Sequence, residues 1–178
     1  MGKFVVAGGK RLKGVLEVPG AKNTILPILA ATVISGKKSV ITNCPQISDV
    51  ENTLEILREL GCEVENKGST VIIDSKNVCK SSVKEELMEK MRSSIILSGA
   101  IIARMKKAET SFPGGCELGL RPIDLHIKAF REMGVNVEEQ HGFIRFDGRN
   151  MKSCDIHLSF PSVGATENIM LAAMTVPG

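Results

Sequence analysis

Tryptophan and tyrosine are absent from the 178 residues, and phenylalanine occurs only six times. Surfaces that stack single-stranded bases are built from such rings, so this scarcity argues against that class of ligand. Strong charge of one sign is missing as well. Lys and Arg total 23 against 20 Asp and Glu, a net charge of +3 with both signs interleaved. No basic stripe of the kind that tracks a phosphate backbone is present, which disfavours an RNA-processing role. Apolar runs such as "IILSGAIIA" fall far short of the roughly 20 residues that span a bilayer. The opening "MGKFVVAGGK" carries neither a signal-peptide pattern nor a myristoylation Ser/Thr. The five cysteines (44, 62, 79, 116 and 154) are odd in number and contain no C-x-x-C. Free thiols in a reducing cytoplasm fit that pattern, and a disulfide framework or a zinc site does not. The expectation is a cytoplasmic globular chain with no nucleic-acid or membrane partner and no metal or cofactor.

What the chain does contain is an internal repeat. "RELGCEVENKGSTVIID" (58–74) aligns with "REMGVNVEEQHGFIRFD" (131–147), pairing Arg58 with Arg131, Gly61 with Gly134 and Asp74 with Asp147. Identities in register over such a span are hard to obtain from a shared helix–strand pattern alone. Three apolar helix-like segments also recur, "NTILPILAA" from Asn23, "SSIILSGAI" from Ser93 and "ENIMLAAMT" from Glu167, at intervals of 70 and 74 residues. Before the first and third of these, "VLEVPGAKN" and "IHLSFPSVGATEN" read as a short alternating strand and a turn. Each unit continues with a strand ("KKSVITNC") and an amphipathic helix (Val50 to Leu60, apolar at 50, 54, 57 and 60) that stops at Gly61. A hairpin turning on Asn66-Lys67-Gly68 closes the unit. This predicts an α/β (α+β) chain made of βαβαββ units of about 73 residues, two complete and a third begun near Cys154.

Three helix starts carry polar groups that a core does not need. Lys22 and Asn23 open the first buried helix, where unpaired N–H groups and the dipole favour an anion. On spacing alone, Asn23 as a plain N-cap beside a solvated Lys22 stands ahead of that reading. Arg92 precedes the middle helix, and Ser162, Val163 and Gly164 open the third. Gathered together by the repeat, these ends would form one cationic cleft for a phosphate or nucleotide. A further loop, "SFPGGCELGLRPID", places Cys116 behind two glycines that permit close backbone approach. Arg121 follows, and a nearby guanidinium would lower a thiol pKa. A buried structural thiol is the plainer reading for any single cysteine, and Cys44, Cys62, Cys79 and Cys154 are left as structural. A hydrolase-type pair of Cys116 with His126 lacks an identifiable third group to orient it. "PIDLHI" reads instead as a helix start, with Pro122 near the first position and Asp124 in the first turn. His141 falls in the second hairpin's turn and His157 on a strand.

"LEVPGAKNTILPILAA", "MRSSIILSGAIIAR", "FPGGCELGLRPIDLHI" and "FPSVGATENIMLAA" together resemble the N-terminal part of the UDP-N-acetylglucosamine 1-carboxyvinyltransferases, along essentially the whole chain. Their P-G-G-C-x-x-G-x-R-P loop sets that family apart from the enolpyruvyl-shikimate-phosphate synthases of the same fold. The resemblance implies an inside-out α/β barrel with the active site between two domains of three βαβαββ units each. Residues 1–20 would then be a strand segment of the other domain, absent here, and residues 21–178 an incomplete domain. The implied reaction transfers the enolpyruvyl group of phosphoenolpyruvate to the 3′-hydroxyl of UDP-N-acetylglucosamine and releases phosphate, early in peptidoglycan synthesis. By the same resemblance Cys116 is the general acid and the residue that fosfomycin alkylates. Lys22, Asn23, Cys116 and Arg121 would bind phosphoenolpyruvate. Asn23, Arg92, Arg121, Pro122, Ile123, Asp124, Leu125, Ser162, Val163 and Gly164 would bind the UDP-sugar.

One departure is Phe160, where some members have a lysine on the nucleotide. The aspartate base and several closing arginines belong to a C-terminal half not included in these 178 residues. The resemblance therefore implies an enzyme fragment without turnover by itself. The alternative is a non-catalytic module for a UDP-sugar or phosphate.

Overall fold

The computed structural model describes residues 3–112 and 123–177. Its elements run through two cycles of one order. Helix α1 (Lys22–Ser35) leads to strand β1 (Lys38–Ile41), helix α2 (Ser48–Leu60) and a hairpin of β2 (Glu63–Lys67) with β3 (Thr70–Asp74). In the second cycle a short α3 (Glu85–Glu89) and a 3-10 turn (Arg92–Ile95) introduce α4 (Ile96–Met105). Then come β4 (Lys107–Ser111), α5 (Asp124–Glu132) and a hairpin of β5 (Asn136–Gln140) with β6 (Phe143–Asp147). Helix α6 (Val163–Ala173) follows as the counterpart of α1 and α4. Each cycle forms a three-stranded antiparallel sheet, ordered β1-β3-β2 and β4-β6-β5. The mixed α/β class is as the sequence predicts, and the period recurs as αβαββ cycles that lack the leading strand of the expected βαβαββ unit.

The 73-residue register has a physical cause at each end of the hairpin. Gly61 and Gly134 sit at the ends of α2 and α5 with φ of +105° and +85°. A Cβ there would come within 2.9 Å of the Asn77 carbonyl and 2.7 Å of the Asn150 carbonyl. The chain that leaves each hairpin crosses back over the helix end, so only glycine fits beneath it. The crossing is tied down by Cys79 N–H donating to the Leu60 carbonyl and Lys152 N–H to the Met133 carbonyl. Asp74 and Asp147, also 73 apart, each turn the chain out of the last strand. Their Oδ1 atoms accept from the N–H of Lys76 at 3.0 Å and of Arg149 at 3.1 Å.

Three expectations need correction. The first hairpin turns on Gly68–Ser69, because Asn66 and Lys67 remain in the ladder opposite Val71 and Thr70, whereas the second turns at His141–Gly142, where His141 was expected. The strands expected ahead of α1 and α6 are not formed: residues 3–19 are exposed throughout, and 151–158 make no ladder. A strand exists only by pairing, and in the second cycle alone does a leading segment find a partner, Ser82 bridging Glu109 in parallel. Cys44 and Cys62 are buried, but Cys79 and Cys154 are exposed thiols.

Helix α4 lies at the centre of the packing. Every residue from Ile96 to Ala103 is buried, as befits a helix apolar on all sides, and α1 and α6 pack against it. The outer helices α2 and α5 bury one face each. Leu54, Leu57 and Leu60 meet Val71 and Ile73 of the first sheet within the same core, and Phe130 meets Phe146 of the second edge-to-face with ring centroids 5.6 Å apart.

Replacing Gly61 or Gly134 with Ala is expected to lower stability by roughly 2 kcal/mol or more, from positive φ and the carbonyl clash together; a shift of the urea midpoint at unchanged slope would measure it. Burial, helped by Asp74, pushes the Cys62 thiol from 9.0 up to about 11. Above pH 9 the unfolded chain gains a thiolate that the folded chain refuses. Stability should therefore fall as pH rises through that window, and Cys62→Ala should remove that part of the slope in denaturant titrations.

Candidate functional site

Lys22 occupies the first turn of α1. Ala21 is the last residue outside the helix, and its carbonyl accepts from Thr24 and Ile25 N–H. Asn23 is thus inside the first turn and caps nothing, which corrects the N-cap expectation. Pro27 follows four residues later and has no N–H to donate, so the Asn23 carbonyl has no helical partner. The half-exposed Lys22 ammonium lies 2.5 Å from Asp49 Oδ2, in the first turn of α2. Sequence reasoning missed Asp49 as its counter-ion. An exposed ion pair of this kind contributes only about 1 kcal/mol or less, so an anionic ligand of higher charge can displace it.

The other starts are built differently. Arg92 opens the 3-10 turn that runs into α4, behind extended backbone at Met91. Helix α5 begins at Asp124, with Ile123 as its N-cap position and Leu125 half-buried. The helix therefore starts later than the reading with Pro122 near its first position. Cys116, Arg121 and Pro122 lie outside the described residues. Ser162 caps α6, its Oγ accepting from Ala165 N–H at 3.2 Å. Val163 is exposed and Gly164 half-buried. A Cβ at Gly164 would touch the His126 ring at 3.9 Å, so the α5 and α6 starts stand side by side. Phe160 is exposed just ahead of them.

The structure brings the starts of α4, α5 and α6 together around Asn168, a buried side chain with partners on both neighbouring helices. His126 is also buried, and its Nδ1 is engaged with Asn168. Lys22 stands with the α2 start instead. Asn168 was missed by sequence reasoning, although one signal existed: it is a polar residue next to the apolar run of α6, in repeat register with Thr24 and Ser94. Among the described residues no cluster of three or more His, Cys, Asp or Glu is placed to hold a metal ion. No described helix is long and apolar enough to cross a membrane.

Comparison with known proteins decides the family. The model described as EPSP synthase (3-phosphoshikimate 1-carboxyvinyltransferase) matches residues 6–178. The chain belongs to the EPSP synthase family. Among its curated relatives, a UDP-N-acetylglucosamine 1-carboxyvinyltransferase 2 of Caldanaerobacter subterraneus subsp. tengcongensis is 54% identical over all 178 residues. A UDP-N-acetylglucosamine 1-carboxyvinyltransferase 1 of Carboxydothermus hydrogenoformans is 44% identical over the same span. The chain covers 43% and 42% of their lengths, so it spans less than half of the curated relatives it matches. In fold, it is similar to the crystal structure of the enolpyruvyl transferase NikO from Streptomyces tendae. That match has a TM-score of 0.82 at 22% identity and covers 96% of this chain and 40% of that one. An EPSP synthase of Acinetobacter baumannii superposes with a TM-score of 0.77 at 21% identity over the same shares. These two solved structures thus share the fold of this chain at low sequence identity.

Asp49→Asn is expected to change stability by less than about 1 kcal/mol and to tighten inorganic phosphate at Lys22, read by titration calorimetry. Lys22→Ala should abolish the phosphate heat.

Proposed function

We propose that this chain supplies the substrate-binding and proton-donating part of an enolpyruvyl transferase acting on phosphoenolpyruvate and UDP-N-acetylglucosamine. The observation that carries the reading is identity of 54% along every residue of the chain to a relative of that name. The loop "PGGCELGLRP" and the segments "PGAKN" and "PSVGATEN" lie within that span.

In the proposed chemistry the sugar 3′-oxygen bonds to C2 of phosphoenolpyruvate while the Cys116 thiol gives its proton to C3, turning the methylene into a methyl group. Phosphate then leaves C2, and loss of a methyl proton restores the double bond in the product. Lys22 and Arg121 hold the phosphate and carboxylate and offset the charge that develops there. Phosphoenolpyruvate carries more charge than the Asp49 carboxylate, so Lys22 exchanges one anion for the other. Asn23, Arg92, Ile123, Asp124, Leu125, Ser162, Val163 and Gly164, with Arg121 and Pro122, hold the UDP-sugar, and the amide dipoles of the neighbouring helix starts favour its diphosphate. Phe160 offers an apolar face where some relatives place a cation.

The base that takes the sugar proton belongs to chain beyond these residues. In the full-length protein residues 1–20 would pair as a strand segment of a second domain, and residues 21–178 would be part of the first. The exposure of Phe4, Val6, Leu12, Val15 and Leu16 supports that division, since side chains of this kind normally stand against a partner. A reducing cytoplasm suits the four unpaired cysteines among the described residues.

Two measurements test the reading. The protein at its natural full length should release phosphate only when both substrates are present, whereas residues 1–178 alone should bind without turnover. Fosfomycin followed by peptide mapping should place one adduct on Cys116. The exposed Cys79 and Cys154 serve as internal controls, and labelling there instead of at Cys116 would sink the site assignment. Binding of UDP-N-acetylglucosamine by the full-length protein with no phosphate release would favour the non-catalytic module.

A further inference from the structure

Helix α6 is apolar along most of its length, yet it buries an asparagine completely in its second turn. The Asn168 carboxamide reaches both neighbouring helices at once. Its Oδ1 accepts from Gly99 N–H at 2.8 Å. Its Nδ2 lies 3.0 Å from the Ile95 carbonyl, 3.2 Å from Ser98 Oγ and 2.9 Å from His126 Nδ1. Chemistry fixes the orientation of the amide, because a backbone N–H only donates and a carbonyl only accepts. The oxygen therefore faces Gly99 and the nitrogen faces Ile95. The His126 Nδ1 contact takes its direction from the imidazole tautomer. Ser98 spends its own proton on the Ile95 carbonyl at 2.7 Å and so accepts from Asn168.

The close approach is shaped for this residue. A Cβ at Gly99 would fall 2.3 Å from Asn168 Oδ1 and 2.3 Å from its carbonyl oxygen, so any larger residue in α4 would push α6 away. The repeat also sets Asn168 apart. Its register partner Ser94 donates within its own segment, to the Met88 and Met91 carbonyls, and Thr24 is exposed. Only in α6 does this position link helices.

These partners sit at the three starts that carry the proposed sugar-binding residues. Ile95 ends the turn that Arg92 opens, His126 follows Asp124 and Leu125, and Asn168 follows Gly164 by one helical turn. We propose that Asn168 is a positioning residue that locks the starts of α4, α5 and α6 into one arrangement, and so sets where Arg92, Asp124–Leu125 and Ser162–Gly164 meet a UDP-sugar. The ligand part of this inference rests on the function proposed above; the lock itself does not. A buried carboxamide held from two neighbouring helices in a low-dielectric interior favours one geometry strongly. Losing it takes the side-chain acceptor from the buried Gly99 N–H and one of the two side-chain donors from the Ile95 carbonyl, which keeps Ser98.

The test compares Asn168→Ala and Asn168→Asp in the full-length protein. The aspartate is nearly isosteric and keeps the acceptor for Gly99 while removing the donors, so it reads the lock even where the alanine variant folds poorly. Amide exchange without ligand should quicken roughly ten-fold or more in peptides covering the starts of α4 and α5, with the β2–β3 hairpin as in wild type. Unchanged exchange at those starts, or a uniform rise along the whole chain, overturns the proposal. Calorimetry with UDP-N-acetylglucosamine should show a Kd raised roughly ten-fold at full stoichiometry. A normal Kd with a reduced active fraction would mean that Asn168 only stabilises the fold, and would also overturn it. Should the wild type take up no UDP-N-acetylglucosamine, the functional reading fails separately, and the exchange pattern alone decides whether the lock exists.

Discussion

Helix α4 is enclosed on every side from Ile96 to Ala103, and much of the structure follows from that enclosure. A surface helix lets water satisfy whatever its side chains and termini leave open; from Ile96 to Ala103 α4 has no such outlet. Its buried polar groups and those of the turn before it are met from within, Ser94 in the turn and Ser98 in the helix by nearby carbonyls, and the Gly99 N–H by Asn168. The same enclosure lets α1 and α6 pack against α4, which gives the repeated units one shared core. Burying apolar side chains at about 1.5–3 kcal/mol each supplies the driving force, and the few polar links specify which packing results.

Much of the architecture was legible in the residues. Gly61, Gly134, Asp74 and Asp147 announced the period because each answers a local backbone demand that no other residue meets as well. The alternation of Val71 and Ile73, or of Ile144 and Phe146, announced the hairpins because strands bury one face. The leading strands before α1 and α6 were misjudged for a reason that periodicity cannot carry. Alternation reports that a segment suits a sheet, not that an edge is available to it. The first hairpin's turn shifted by a residue or two because the ladder keeps Lys67 paired with Thr70.

The candidate site was legible in part. Glycine- and proline-rich helix starts with a cation or a hydroxyl pointed to Lys22, Arg92 and Ser162, and the structure joins the α4, α5 and α6 starts. What one-dimensional reading could not provide was the partner of each polar group. Asp49 lies far from Lys22 in sequence, and the Asn168 contacts span separations of 42 to 73 residues. A long-range polar contact leaves no spacing rule behind. The oddity of an asparagine beside an apolar run is its only trace.

Strand β1 pairs with β3 on one side, and among the described residues its other edge is bare. Apart from that open edge, the chain displays Phe4, Val5, Val6, Leu12, Val15, Leu16 and Val18 to solvent. An uncovered ladder and an uncovered apolar segment are the two ingredients of edge-to-edge association. Prepared as these 178 residues alone, the polypeptide carries its own glue, and its behaviour at high concentration will be governed by that surface before any substrate is added.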